Sequence, residues 1–177
     1  MTLTHKLNGV INRLYALPPL HCESGSEVDA LYLEEEWRAA FVAWLAELAC
    51  PVLNRPTGTS LHGTICGDAY WRYLAVQMGL TTRPWFASSG LGVTESNEQR
   101  IQIFVAGKQV IDAQNILSLE ARNRVAMLAA ISQLQLCCVE FDCSTGEPCL
   151  LRLDPLVPFA AGGDALVTAI ETMLTSP

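Results

Sequence analysis

The sequence predicts a mixed α/β fold of the α+β kind, packed as one compact unit. Half of the 177 residues are apolar and only 16% are charged, a composition that supports a packed interior. Helical spacing of apolar residues dominates the first half of the chain, whereas the second half alternates β-hairpins with helices. This length accommodates one domain, or two small lobes that share a core.

The first half predicts two helices joined by a short strand. Residues 1–29 lack periodicity, and a helix then runs from Leu33 to the residues before Pro51. Glutamates at its start suit the positive end of the helix dipole. Pro51–Pro56 is predicted to be an extended segment that leads into a Gly- and Thr-rich loop. The apolar face of the helix comprises Trp37, Ala40, Phe41, Trp44, Leu45 and Leu48.

The second predicted helix begins at Asp68 as its N-cap and ends where Gly79 can adopt a left-handed conformation. Trp85 and Phe86 then form a short predicted strand, and 87–98 is a polar, Gly-rich loop. The apolar face of this helix comprises Trp71, Leu74, Ala75 and Met78.

The second half predicts hairpin, helix, hairpin, helix. Residues 101–105 and 109–111 form the first hairpin, and Ser118 caps the helix that follows. The apolar face of that helix comprises Ala121, Val125, Leu128 and Ala129. The second hairpin pairs 136–142 with 149–153 around a turn. The final predicted helix is capped by Asp164 and carries Leu166, Ala169, Ile170, Met173 and Leu174.

Charge and cysteine usage exclude several classes of partner. The formal net charge is −7 and the basic residues are scattered, which disfavours nucleic acid and anionic membranes. No apolar run reaches the length of a membrane span. No apolar segment of a secretory signal follows Lys6, and the seven cysteines are odd in number. We therefore expect a cytoplasmic protein with reduced thiols.

Asp142, Arg152 and Asp154 form the first candidate site. Strand alternation puts them on one sheet face, where two carboxylates could hold Mg²⁺ through oxygen ligands. Arg152 between them argues for a salt-bridged arrangement without metal, because a guanidinium takes the place of a cation. We favour the salt-bridged arrangement without metal.

Two further clusters have competing interpretations. Asn54 and Arg55 open a Gly- and Thr-rich segment that could cradle an anion, but it lacks the spacing of a phosphate-binding loop, so a turn is favoured. Four cysteines could face one another across the second hairpin. Their spacing fits no zinc site, which favours small buried apolar residues. They are Cys137, Cys138, Cys143 and Cys149.

Two stretches resemble ATP-grasp ligases of the ribosomal-S6-modification and peptide-macrocyclase types. In the first, Leu31–Phe86, a helix with a Glu-rich start leads to a strand ending in Asn-Arg-Pro at 54–56. A second helix and a "GLTTRPWF" segment follow at 79–86. The second stretch includes "RIQIFVAGKQVIDA" at 100–113 and "LCCVEFDCSTGEPCLLRLDPLVPF" at 136–159.

The resemblance implies an ATP-grasp-like frame from which parts are missing. The family's metal-binding Asp corresponds to Asp142, whereas Arg152 and Asp154 stand where the family has Glu and Asn. Gly67–Tyr70 lacks the family's Lys. The nucleotide-clasping subdomain is missing between Phe86 and Arg100. We expect a pre-ATP-grasp-like lobe over 1–88, a linker over 89–99, and a remnant of the C-terminal lobe over 100–177.

The functional expectation is a catalytically inactive ATP-grasp-like subunit. It would act in binding, with a second copy or a full-length ATP-grasp ligase as its partner, without catalytic residues or a cofactor. The alternative is a residual ATP-dependent carboxylate-amine ligase that uses Mg-ATP. Asn54 and Arg55 would then contact the nucleotide, and Asp142 and Asp154 the metal. A thiol-rich binding module on the second hairpin is a third hypothesis.

Overall fold

The computed structural model describes residues 7–17, 26–57, 60–63, 67–83 and 99–175. It divides into two compact units, Met1–Ile65 with Leu174–Pro177, and Cys66–Met173. The second predicted helix therefore groups with the sheet of the second unit, because Trp71 and Ala75 belong to that sheet's core. The predicted strand at 85–86, the loop at 87–98 and nearly all of the predicted linker lie outside the described residues.

The first unit contains β1 (Val10–Ile11), α1 (Glu27–Glu47) and β2 (Val52–Leu53). The two strands pair in parallel, with Val10 opposite Val52. Helix α1 starts at Glu27 rather than at the predicted Leu33. The reason is a capping box, in which the Ser26 hydroxyl accepts from the backbone of Asp29 and the Asp29 carboxylate accepts from the backbone of Ser26.

The predicted apolar face of α1 is buried only in part. Leu45 is 1% exposed, whereas Trp37 and Trp44 are 57% and 46% exposed. Periodicity thus identified apolar residues that share one side of the helix, but half of those six residues are exposed to solvent.

The second unit is a four-stranded antiparallel sheet with helices. Its strand order is β4-β3-β5-β6, and Thr82 adds a short parallel bridge to Leu150 at the β6 edge. Both predicted hairpins are present. The elements are α2 (Asp68–Gln77), β3 (Arg100–Ala106), β4 (Gln109–Ile111), α3 (Leu119–Ile131), β5 (Leu136–Asp142), β6 (Cys149–Asp154) and α4 (Phe159–Thr175). The last two residues of α4, Leu174 and Thr175, belong to the first unit.

Helix ends in the second unit follow the predictions with two corrections. The Ser118 hydroxyl accepts from Ala121 N–H at the start of α3, and Gly79 has a φ of 73° after α2, both as predicted. The N-cap of α2 is Gly67, so Asp68 is the first helical residue, where its charge still suits the dipole. In α4, one turn precedes the predicted start, and Gly163 breaks the helix with a φ of 58°.

The core of the second unit lies between one sheet face and helices α2 and α3. Side chains from both helices form one core with alternate residues of β3 and β5 and with Leu150 and Leu153 of β6. The buried core residues are Trp71, Ala75, Leu80, Ile103, Val105, Leu117, Val125, Leu128, Ala129, Leu134, Cys137, Val139, Phe141, Leu150 and Leu153.

Among the described residues, no helix combines the length and apolarity needed to cross a bilayer.

Candidate carboxylate and arginine site

The other face of the sheet carries the candidate site. Glu140 and Asp142 alternate with core residues along β5, so both project away from α2 and α3. In β6 a bulge inserts one extra residue, because Phe141 pairs with Leu150 while Glu140 pairs with Arg152. This shift puts Arg152, and Asp154 after it, on the face of Glu140. The structure therefore brings the three predicted residues of the candidate site to one face.

Asp142 is held by donors from the chain. Its side chain is 1% exposed and forms an ion pair with Arg83. The backbone N–H and the hydroxyl of Ser144 donate to its two carboxylate oxygens, each at 3.0 Å. The Ser144 N–H is the main cause of a lowered Asp142 pKa. The Ser144 hydroxyl and Arg83 lower that pKa further, against an opposing effect of burial.

Arg152 lies between two carboxylates. Its Nε is 3.0 Å from Oε2 of Glu140, and its Nη2 is 3.3 Å from Oδ2 of Asp154. Glu140 is buried and also accepts from Gln102 Nε2 at 3.1 Å. The remaining oxygen of Asp154 accepts from the backbone N–H of Leu156 at 2.8 Å. The arginine thus neutralises much of the charge of the pair.

Two members of this site were not predicted from the sequence. Glu140 could have been found, since it lies two residues before Asp142 on the same strand face. Arg83 gave no such signal, because 59 residues separate it from its partner Asp142. Only the packing of the residues after α2 beside β6 brings the two together.

Asn54 and Arg55 are engaged in contacts within the first unit. Arg55 Nη1 donates to the Leu45 carbonyl at 2.7 Å, and its guanidinium lies near three further carbonyls at the end of α1. Asn54 is buried with a φ of 55°, and its carbonyl accepts from Asn12 Nδ2 at 2.9 Å. These contacts favour a structural role. The anion-binding role stays a prediction.

The cysteines of the second hairpin do not face one another as a group. Cys137 and Cys138 are consecutive in β5, so they point to opposite faces of the sheet, and both are buried. Burial raises the pKa of both thiols, that of Cys138 to about 12. This geometry corrects the interpretation that all four thiols meet across the hairpin, and it fits small buried apolar residues.

Comparison with known proteins gives matches in structure only. No family model matches the sequence, and no curated protein matches it. The macrocyclase MdnC, bound with precursor peptide MdnA from Microcystis aeruginosa MRC, aligns with a TM-score of 0.69 and 13% identity. The alignment covers 95% of this chain and 78% of that chain. The chain has an ATP-grasp ligase-like fold.

Two further structures agree with this fold. The ATP-grasp ligase PsnB complexed with minimal precursor aligns with a TM-score of 0.64 and 13% identity, over 94% of this chain and 79% of that one. The macrocyclase MdnB from the same Microcystis strain aligns with a TM-score of 0.53 and 15% identity, over 63% of this chain. The matched part spans only 56% of the MdnB chain. The resemblance inferred from the sequence is confirmed at the level of the fold.

The ATP-grasp-like frame implies a Mg²⁺ site where Asp142, Arg152 and Asp154 lie, and the residues present do not fit one. Both carboxylate oxygens of Asp142 and both of Asp154 accept hydrogen bonds from, or form ion pairs with, groups of the same chain, and Arg152 lies between carboxylates. Mg²⁺ requires nearly octahedral coordination by oxygen ligands at short distances. Within the described ranges, no three His, Cys, Asp or Glu side chains are grouped to hold a metal.

Proposed function

We propose that this chain is a catalytically inactive ATP-grasp-like protein that acts as a binding or accessory subunit. Its partner would be a second copy or a full-length ATP-grasp ligase. The supporting observation is the pairing of the Asp142, Glu140 and Asp154 carboxylates with two arginines of the same chain, Arg83 and Arg152.

Electrostatics oppose ligation at the carboxylate and arginine site. Phosphoryl and acyl-phosphate chemistry depends on cations placed where negative charge develops. A guanidinium stays charged and cannot leave its site as a hydrated ion does, so Arg152 would repel a metal that approached Glu140 or Asp154. The network of three carboxylates and two guanidiniums carries about one negative charge, and Arg100 lies opposite Asp142 on the same face, which weakens the attraction of this face for a divalent ion.

The binding role is supported by the kind of protein that shares the fold. The MdnC structure is bound with a precursor peptide, and the PsnB structure is complexed with a minimal precursor. A chain that keeps the frame but fills its carboxylate site with arginine could keep such a role without turnover.

A thermal melt with Mg-ATP and Mg-ADP tests the proposal. A ligand at about 100 times its dissociation constant stabilises a protein by about 2.7 kcal/mol, which gives a visible shift. We expect no magnesium-dependent shift for the wild-type chain. A clear shift that requires magnesium would contradict the proposal.

A variant that restores the family's ligand set makes the test sharper. E140Q/R152E/D154N combines Asp142 with a Glu and an Asn and removes the like charge that Glu140 would place beside the new Glu. We expect calorimetric titration with Mg²⁺ alone to show binding to this variant. The control E140Q/R152Q/D154N adds no metal ligand and should bind no tighter than wild type. Equal Mg²⁺ binding by the wild type and the restored variant would refute the role given to Arg152.

The second candidate function is a residual ligase, and the state of Asp142 favours it. By the sequence resemblance Asp142 corresponds to the family's first metal-binding residue. It is buried, and it keeps its charge to a lower pH than an ordinary aspartate because its pKa is lowered. Phosphate release from ATP by the wild type that depends on added carboxylate and amine substrates, and is abolished in D142N, would support this function instead.

A further inference from the structure

Helix α1 presents aromatic side chains to solvent along one stripe. Trp37 and Trp44 are both exposed, and the ring of Phe41 lies 5.9 Å from that of Trp44 in a tilted arrangement. These residues are three, four and seven positions apart, so they are neighbours on the helix surface. We define the tryptophan face of α1 as Leu33, Trp37, Ala40, Phe41 and Trp44.

The tryptophan face stands on a helix with satisfied ends. The Ser26 and Asp29 capping box closes the start of α1, and Arg55 donates to carbonyls at its end. Leu45, buried in the first unit, fixes the side of the helix that packs inward. Aromatic side chains with only two χ angles lose less conformational entropy than longer flexible side chains when a partner covers them.

Acidic residues border the tryptophan face on both sides. Glu34 lies next to Trp37 along one edge, while Glu36 and Glu47 lie along the other, next to Ala40 and Trp44 respectively. All three glutamates are exposed. Arg38 is the only basic residue in α1, and its guanidinium is 3.8 Å from Glu34 and 3.9 Å from Glu35.

We propose that the tryptophan face binds a protein segment that is apolar along one side and carries Lys or Arg on both flanks. The apolar side would cover Trp37 and Trp44, residues of the type that dominates binding energy at interfaces. The basic flanks would meet Glu34 on one edge and Glu36 with Glu47 on the other. This inference rests on the proposed binding role and names the chemistry of the partner.

Charge argues against a second copy of this chain on the same face. Two antiparallel copies of α1 centred between Trp37 and Trp44 would bring Glu34 of one copy opposite Glu47 of the other. Two parallel copies in register would oppose each glutamate to itself. Each chain also carries a net charge of −7, so association through this face lacks complementary charge.

Peptide binding measured by fluorescence anisotropy tests the proposal. The probe is a fluorescein-labelled synthetic amphipathic helix of leucine and lysine, with a leucine and glutamate helix of the same pattern as its counterpart. We expect W37A/W44A to weaken binding of the lysine probe at least about tenfold, a change equivalent to 1.4 kcal/mol. E34Q/E36Q/E47Q should also weaken binding and reduce its salt dependence.

The matched control is Y70A/Y73A, which removes two exposed aromatic residues from α2. It should leave binding of the lysine probe unchanged, and all variants should keep the circular dichroism of the wild type because the sites are exposed. Unchanged binding in W37A/W44A would overturn the proposal, as would equal binding of the leucine and glutamate helix. A dimer seen by sedimentation and lost in W37A/W44A would assign the face to a second copy instead.

This experiment and the nucleotide experiment fail independently. The peptide assay contains no nucleotide or magnesium, and the variants that restore the metal ligands leave α1 unchanged. A negative peptide result therefore removes the α1 assignment without bearing on the carboxylate and arginine site.

Discussion

The two faces of the seven-residue strand β5 are both buried, but one is apolar and the other carries carboxylates. On one face, Cys137, Val139 and Phe141 pack against helices and have no partner requirement beyond shape. On the other, Glu140 and Asp142 are equally shielded from water but depend on specific donors. Burial alone therefore does not distinguish the faces. What distinguishes them is whether the loss of a neighbour leaves a cavity or an unpaired charge.

Truncation on the packed face should have the largest effect. Phe141 is almost fully buried, and F141A removes its ring from the core, which should lower the free energy of unfolding by about 3–5 kcal/mol. Urea denaturation measures the change. The control is L151A. Leu151 is the extra residue of the β6 bulge and is only half-buried, so its truncation should lower the free energy of unfolding much less. A loss below about 1 kcal/mol for F141A would mean that this face is not the main core.

Removal of one ionic partner on the polar face should come next. R152Q leaves buried Glu140 without its guanidinium and should cost about 1–3 kcal/mol at neutral pH. The double variant E140Q/R152Q removes both charges and should recover most of that loss. If the double variant is as unstable as R152Q, packing of the arginine stem rather than charge explains the effect.

A pH series should separate the faces further. The Asp142 pKa lies below its ordinary value of 3.8, so its ionised form stabilises the fold above that pH. The stabilisation is lost as the pH falls from about 4 through the lowered pKa, because over this range the unfolded state binds the proton more readily than the folded state does. Wild type should exceed D142N in melting temperature near neutral pH, and the two should converge in acid. Parallel curves across the acid range would show that Asp142 does not titrate there.

The smallest effect should come from the exposed end of the same network. D154N removes a charge from a partly exposed pair while its amide oxygen can still accept from Leu156 N–H, so we expect a change of about 0–1 kcal/mol. Thermal unfolding measures it, and addition of salt should reduce the difference. A loss as large as that of R152Q would show that Asp154, rather than Glu140, is the main partner of the arginine.

The sequence predicted local features well and long-range pairing poorly. The bounds of β5, the cap at Ser118 and the turn at Gly79 depend on neighbours within a few residues, and all three are confirmed. The partnership of Arg83 with Asp142 depends on the path of the whole chain, so no local pattern indicates it.

The helices show the same limit in another form. Periodicity identified an apolar side on both α1 and α3. In α3 the predicted Val125, Leu128 and Ala129 are fully buried, whereas in α1 Trp37 and Trp44 are exposed. A period of 3.6 residues states that one side of a helix is apolar, but it does not state what covers that side. Only the tertiary structure distinguishes a core contact from a surface available to a partner.

The bulge in β6 determines which insertions and deletions this strand can tolerate. Because side chains alternate in a strand, the unpaired Leu151 shifts every residue after it by one step of the alternation. If the same residues paired without the bulge, Arg152 would fall opposite Val139 in the apolar core and Leu153 would lie on the polar face. Loss of Leu151 itself would leave Arg152 opposite Glu140, whereas a codon gained after the bulge would exchange charged and apolar side chains across the sheet. We therefore expect lineages of this fold to tolerate loss of the bulge residue more readily than an insertion after it.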